Sequence, residues 1–238
     1  MQTDLHHQHK SVVIHARDFW FARGAVLVVA TLQLLLVNDF SLGARWVAPA
    51  IELLLLLPLS VATAWVHIQV KTATTEGHFY LAGRTRRWIR RTAISLTALI
   101  TAINFVALFF LVRALLGGHA GSARSLLIDA VNIWWTNVVA FSLWYWSIDR
   151  GGPATRGLTA HTMPDFLFPQ MTMDDPRLEG WSPGFVDYLF LSFTNATAFS
   201  PTDSLPLSPR AKLLMMANAG VSLLTLALVA ARAVNILA

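Results

Sequence analysis

Five stretches of the chain stay apolar for about the roughly 20 residues that a helix needs to cross a bilayer. They cover residues 19–37, 46–66, 93–112, 126–146 and 213–231. Between the last two lies a shorter stretch, residues 188–210, YLFLSFTNATAFSPTDSLPLSPR. It is too short and too interrupted to cross. It reads as a short amphiphilic helix, a Ser-Pro-Thr-Asp turn and a Pro-bounded return. Apolar helix, short helix, polar turn, apolar helix is the order of a re-entrant loop. Irregular backbone at membrane depth persists only where protein or a water-filled cavity shields it, so such a loop is expected to line something. The expected fold is an all-α membrane protein with about five transmembrane helices plus a short re-entrant helix and loop.

The pattern divides the chain. Residues 1–18 form a polar tail, 19–112 a three-helix part, and 126–238 a second part. Within the second part, 126–146 is an outer helix, 149–185 a cap segment, 186–206 the re-entrant helix and loop, and 212–236 an inner helix. The first two windows are joined by a short loop and should pack as an antiparallel hairpin, with Pro58 kinking the second. Residues 67–92 read as a longer basic loop. The cap carries Phe166, Phe168, Met171, Met173 and Trp181, which give it something to bury.

Composition agrees with a membrane protein. Of 238 residues, 55% are hydrophobic and 13% charged, against about 25% charged in soluble domains. No small-residue cleavage site follows the first apolar run, so a removed leader is not expected. With no cysteine, disulfides and thiolate chemistry are excluded. The net charge of +5 is not accompanied by a nucleic-acid motif. Fourteen of the 18 Lys and Arg residues fall on one side of the expected topology, many in GRTRRWIRR at 83–91. The positive-inside rule then puts the N-terminus in the cytoplasm and, with five crossings, the C-terminus outside; the expected location is the cell's inner (plasma) membrane. Phe19, Trp20, Trp46, Trp65, Trp88, Trp144 and Trp146 flank the windows as an interfacial belt would.

Polar side chains recur at helical spacing inside three windows: Thr97, Thr101 and Asn104; Asp129, Asn132 and Thr136; Asn218, Ser222 and Thr225, with Arg232 further along. Each set lies on one stripe and should face helices or water rather than lipid, since an unpaired polar group is costly to bury. Two readings stand side by side: interhelical hydrogen bonding, or an aqueous pathway along the last window. Glu52 and Asp129 are either proton or ion sites or interfacial groups near a window end. HHQH at 6–9 lacks partners at metal-site spacing, and no metal or other cofactor is expected. No paired carboxylates flank a loop, and HExxH, GxSxG and Gly-rich phosphate loops are missing, so no enzymatic activity is expected.

SFTNATAFSPTDSLP, residues 192–206, resembles without a gap the pore helix and selectivity filter of potassium channels. The family pattern there is a Ser, then Thr-Ala-Thr-Thr-Val-Gly-Tyr-Gly-Asp, then a Pro three residues later. Asn195, Ala196 and Thr197 fall on its first three filter-helix positions, and Ala198, Phe199, Ser200, Pro201 and Thr202 on the filter. Asp203 matches the Asp after it and Pro206 the Pro. Arg210 and Gly220 keep the spacing of the family's inner-helix Arg and hinge Gly. The whole chain also looks like a bacterial integral-membrane family with four or five crossings and an arginine-rich middle loop. The resemblance implies a channel-like protein, a homotetramer in the lipid bilayer passing monovalent cations. It implies filter residues from Thr197 to Asp203 and inner-helix lining by Asn218, Gly220, Ser222 and Thr225. The filter positions lack glycine and hold Pro201, whose φ is fixed near −65°. The family's stack of backbone carbonyls therefore cannot form as it does there, and potassium selectivity does not carry over. Side-chain oxygens of Ser200, Thr202 and Asp203 are left as the cation-facing groups. A non-conducting structural or regulatory protein on the same frame is the alternative.

Overall fold

The computed structural model describes residues 20–36, 46–47, 49–54, 56, 76–117, 122–152, 163–197 and 203–237. Helices dominate. Helix α1 spans Trp20–Leu34, and α2 is described over residues 49–54. Four more helices follow: α3, Glu76–Gly117; α4, Ala123–Ile148; α5, Phe185–Thr197; and α6, Pro209–Leu237. Three are long and apolar enough to cross a membrane, over Trp88–Leu116, Arg124–Gly151 and Pro209–Ala231. They contain three of the five apolar windows.

The first difference from the sequence reading concerns the basic segment. Residues 84–91 are not a loop. They continue α3, which is 42 residues long, or about 63 Å at 1.5 Å per residue, twice the roughly 30 Å hydrocarbon core. Arg, Leu and Ala are strong helix formers, and charge does not break a helix that projects into water.

Ser122 caps α4, its side-chain oxygen accepting the Ser125 backbone N–H at 3.3 Å. At the other end three successive residues take positive φ: Arg150 at 51°, Gly151 at 79° and Gly152 at 92°. A Cβ on Gly152 would lie 2.8 Å from the Ser147 carbonyl oxygen, so the turn that leaves α4 needs glycine there.

Helix α4 is the centre of the molecule, with 67% of its apolar window buried. Helix α3 runs antiparallel to it. Trp144 Nε1 donates to Thr101 Oγ1 at 2.9 Å, while Leu108 and Leu111 join Leu126 and Ile133 in one cluster at the far end. Residues 84–91 therefore project roughly 10–20 Å beyond the C-terminal end of α4. Helices α5 and α6 also start at that end.

A cap closes it. Strands β1, Phe166–Leu167, and β2, Leu205–Pro206, pair antiparallel, with Phe166 opposite Pro206 and Leu167 opposite Leu205. Phe166 sits 5.1 Å from the Tyr145 ring, and Phe168 sits 5.4 Å from Tyr188 and 6.0 Å from Trp181. Such tilted and edge-on aromatic contacts add to the area they bury. Met173 takes no part in this packing and is 57% exposed. Trp146 is not a belt residue either. It is buried and meets Phe185 edge-on. Trp20, Trp46 and Trp88 are exposed.

Candidate functional site

The candidate site is built around α5. Its 13 residues give a length of about 20 Å. It enters at the cap, where Asp187 accepts the Gly184 backbone N–H at 2.7 Å and Tyr188 O–H donates to Asp149. It then runs antiparallel to α4. Phe193 reaches Trp134 and Trp135, both at 5.8 Å, which lie at the middle of α4. By β2 the chain is back at the cap, paired with β1. The backbone thus goes in to half the depth of α4 and returns to the end it left.

A buried polar network fastens this excursion. Asn218 of α6 is fully enclosed. Its Nδ2 donates to Tyr145 Oη at 3.1 Å and to Ser192 Oγ at 3.2 Å. Its Oδ1 accepts from Asn137 Nδ2 at 3.0 Å, and the same amide nitrogen donates to Ser222 Oγ at 2.9 Å. Ser192 Oγ donates to the Val138 carbonyl at 2.7 Å. Asn195 Nδ2 donates to the Met215 carbonyl at 2.9 Å. Helices α4, α5 and α6 are therefore joined through four side chains that are all but inaccessible, Asn137, Tyr145, Ser192 and Asn218. In an apolar surround each unsatisfied group would be costly, so the network favours one register among the three helices.

A second cluster locks the cap. Asp149, fully buried at the end of α4, accepts the Asp165 backbone N–H at 2.7 Å. Asp165 accepts two hydrogen bonds from the Arg210 guanidinium, both at 2.7 Å, and one from Ser208 Oγ. Burial alone would raise the Asp165 pKa, but the hydrogen bonds and charge of Arg210, with Ser208, outweigh it and hold the carboxyl below its ordinary value. This bidentate pair ties the residue just before β1 to the start of α6.

The residues singled out in the sequence separate. Ala198, Phe199, Ser200, Pro201 and Thr202 lie outside the described residues. Thr197 ends α5 half-buried, donating to the Thr194 carbonyl at 3.0 Å, and Asp203 is exposed on the return. Asn218, Ser222 and Thr225 are buried within the chain. Thr225 donates to the Val221 carbonyl at 2.8 Å. Gly220 lies on the opposite, exposed face, where an added Cβ would meet nothing. That face is apolar, carrying Leu213, Met216 and Leu223 at over 60% exposure. Glu52 and Asp129 are fully buried within the chain.

Sequence reasoning missed Asn137, Tyr145, Ser192, Asp149 and Asp165. Asn137 stands one position off the stripe Asp129, Asn132, Thr136, and only the crossing with α6 selects it. Among the described residues no group of His, Asp and Glu could hold a metal ion. No protein-family model, curated protein or solved structure gives a match to the chain.

Proposed function

We propose that the chain is a channel-like integral membrane protein built on a pore-loop frame, with five crossings and the α5–β2 excursion as the pore loop. The observation that carries this reading is the half-depth helix α5, which enters at the cap and whose chain returns to it. In a membrane, the return at depth requires a protein wall or water. The protein assembles as a homotetramer in the cytoplasmic (inner) membrane, with the loops converging on the axis. Thr197 and Asp203 flank the turn, and a fourfold ring of Asp203 carboxylates would favour monovalent cations. The N-terminus and the cap face the cytoplasm, where the arginines of the α3 extension and Arg177 also lie.

A second reading has its own support. Asn218, Ser222 and Thr225 give their polar groups to the bundle. The open face of α6 is apolar, which suits lipid or a partner helix better than hydrated ions. On that reading the frame is retained in a protein that does not conduct.

Native mass spectrometry followed by planar-bilayer recording separates the two. Channel function predicts a tetramer with cation current, and Asp203→Asn should weaken the preference for cations over anions several-fold. A verified tetramer with no conductance under any voltage or lipid composition would remove the channel reading. A monomer or dimer would favour the non-conducting one.

A further inference from the structure

Helix α1 and helix α2 each bury one strongly polar side chain, and the two meet. Gln33 Nε2 donates to Glu52 Oε1 at 2.8 Å. Glu52 is 0% exposed and Gln33 8%. Nearby in the same core lie Val26, Val29 and Leu56, with Leu96 and Ile100 of α3. A carboxylate offers about four lone-pair sites, and here one donor serves them. Among the described residues Glu52 Oε2 has no hydrogen-bond partner, and neither does Gln33 Oε1. The charged residues described on α1, α3 and α4 with defined side chains are Arg23, Arg90, Arg91, Arg113, Arg124 and Asp129. None of them forms an ion pair with Glu52.

Among the described residues, a bare carboxylate in this position would be a buried charge with no counter-charge and a single hydrogen bond, beside another lone-pair acceptor. Buried charges are paired, coordinate a metal, or are neutralised by a proton. A single proton resolves both deficits. Placed on Glu52 Oε2, it becomes a donor, and the Gln33 carbonyl, on the amide already bonded to Glu52, is an acceptor that lacks one. Amide and acid would then close a ring of two antiparallel hydrogen bonds: Nε2–H to the acid carbonyl, and acid O–H to the amide carbonyl. We propose that Glu52 is a proton-binding site inside the α1–α2 hairpin, occupied at neutral pH, with Gln33 as the residue that holds the bound proton in place. The ligand is a proton, and the site is independent of the α5 loop. Loss of the proton would set two acceptors against each other and loosen α1 from α2, as befits an intramembrane ionisable residue.

Infrared spectroscopy of the full chain in lipid nanodiscs at pH 7 tests this directly. The difference between wild type and Glu52→Gln should show loss of one protonated-acid C=O band and no loss of carboxylate bands. Gln33→Leu removes the donor to that carbonyl, so the band should persist and move to higher frequency. It gives a reading even if Glu52→Gln does not fold. Loss of carboxylate bands in Glu52→Gln would overturn the proposal. So would a carboxylate band that shifts when sodium is exchanged for lithium, which would mean a metal cation in the proton's place. An unmoved acid band in Gln33→Leu would overturn the role of Gln33.

Discussion

Asn218 and Gly220 stand two positions apart on α6 and face opposite ways. Both sit on the segment whose spacing suggested pore lining, yet only Asn218 is enclosed, with Tyr145, Ser192 and Asn137 around it. Replacing Asn218 by Leu removes the bonds it makes to three partners on α4 and α5. At about 0.6 kcal/mol for each interhelical hydrogen bond, the expected loss is about 2 kcal/mol of stability. Gly220→Ala adds a methyl group in open space and restores helix propensity, so it should be neutral or slightly stabilising. Denaturant titration of the detergent-solubilised protein measures both. If Gly220→Ala were the costlier change, the exposed face of α6 would have a packing role that the single chain does not display. The stripe itself was legible in the sequence, because spacings of three and four mark one face of any helix. Which neighbour that face meets was not, because Asn137 and Ser192 are ordinary residues until the crossing angles bring them within 3.2 Å.

Three of the five apolar windows lie within helices that can span a membrane, because runs of Leu, Ile, Val and Phe have no other stable form in lipid. The start of α3 was hidden for the opposite reason. Residues 76–92 are too charged for a membrane window, and hydropathy cannot tell a basic helix from a basic loop. The slope of α5 was equally illegible, since a short amphiphilic helix can lie along a bilayer or dip into it. Val186, Phe190 and Phe193 form its exposed face, at 54%, 58% and 37%. The first and last are seven positions apart, or about 10 Å along the axis. Spin labels placed singly at these positions should show rising exposure to oxygen and falling exposure to a water-soluble nickel relaxant in that order. Equal depth at all three would mean that α5 lies flat, and the pore-loop frame would fail with it.

At the scale of the whole molecule, the two ends of the bundle differ chemically. One end gathers the arginines that extend α3, the β1–β2 cap, the Asp165–Arg210 pair and the starts of α5 and α6. The other holds the short connection between α3 and α4, with Arg113 and Arg124 near it. Sequence charge alone suggested this imbalance, and the antiparallel packing of α3 on α4 puts the basic extension and the cap at the same end. If the positive-inside rule governs insertion, the excursion of α5 starts from the cytoplasm, the reverse of the potassium-channel arrangement. Potassium-channel topology would instead place some ten arginines outside, against an insertion bias that favours cytoplasmic Lys and Arg near membrane segments. Cysteine is absent from the natural chain, so single cysteines report without background. Met173, 57% exposed on the cap, and Ser122, exposed before α4, mark the two ends. With a membrane-impermeant maleimide, Met173→Cys should label in inside-out vesicles and Ser122→Cys in right-side-out ones. The converse pattern would show that the loop enters from outside. The arginine extension of α3 would then meet the outer surface, and its positive charge would need a partner there other than cytoplasmic anionic lipid.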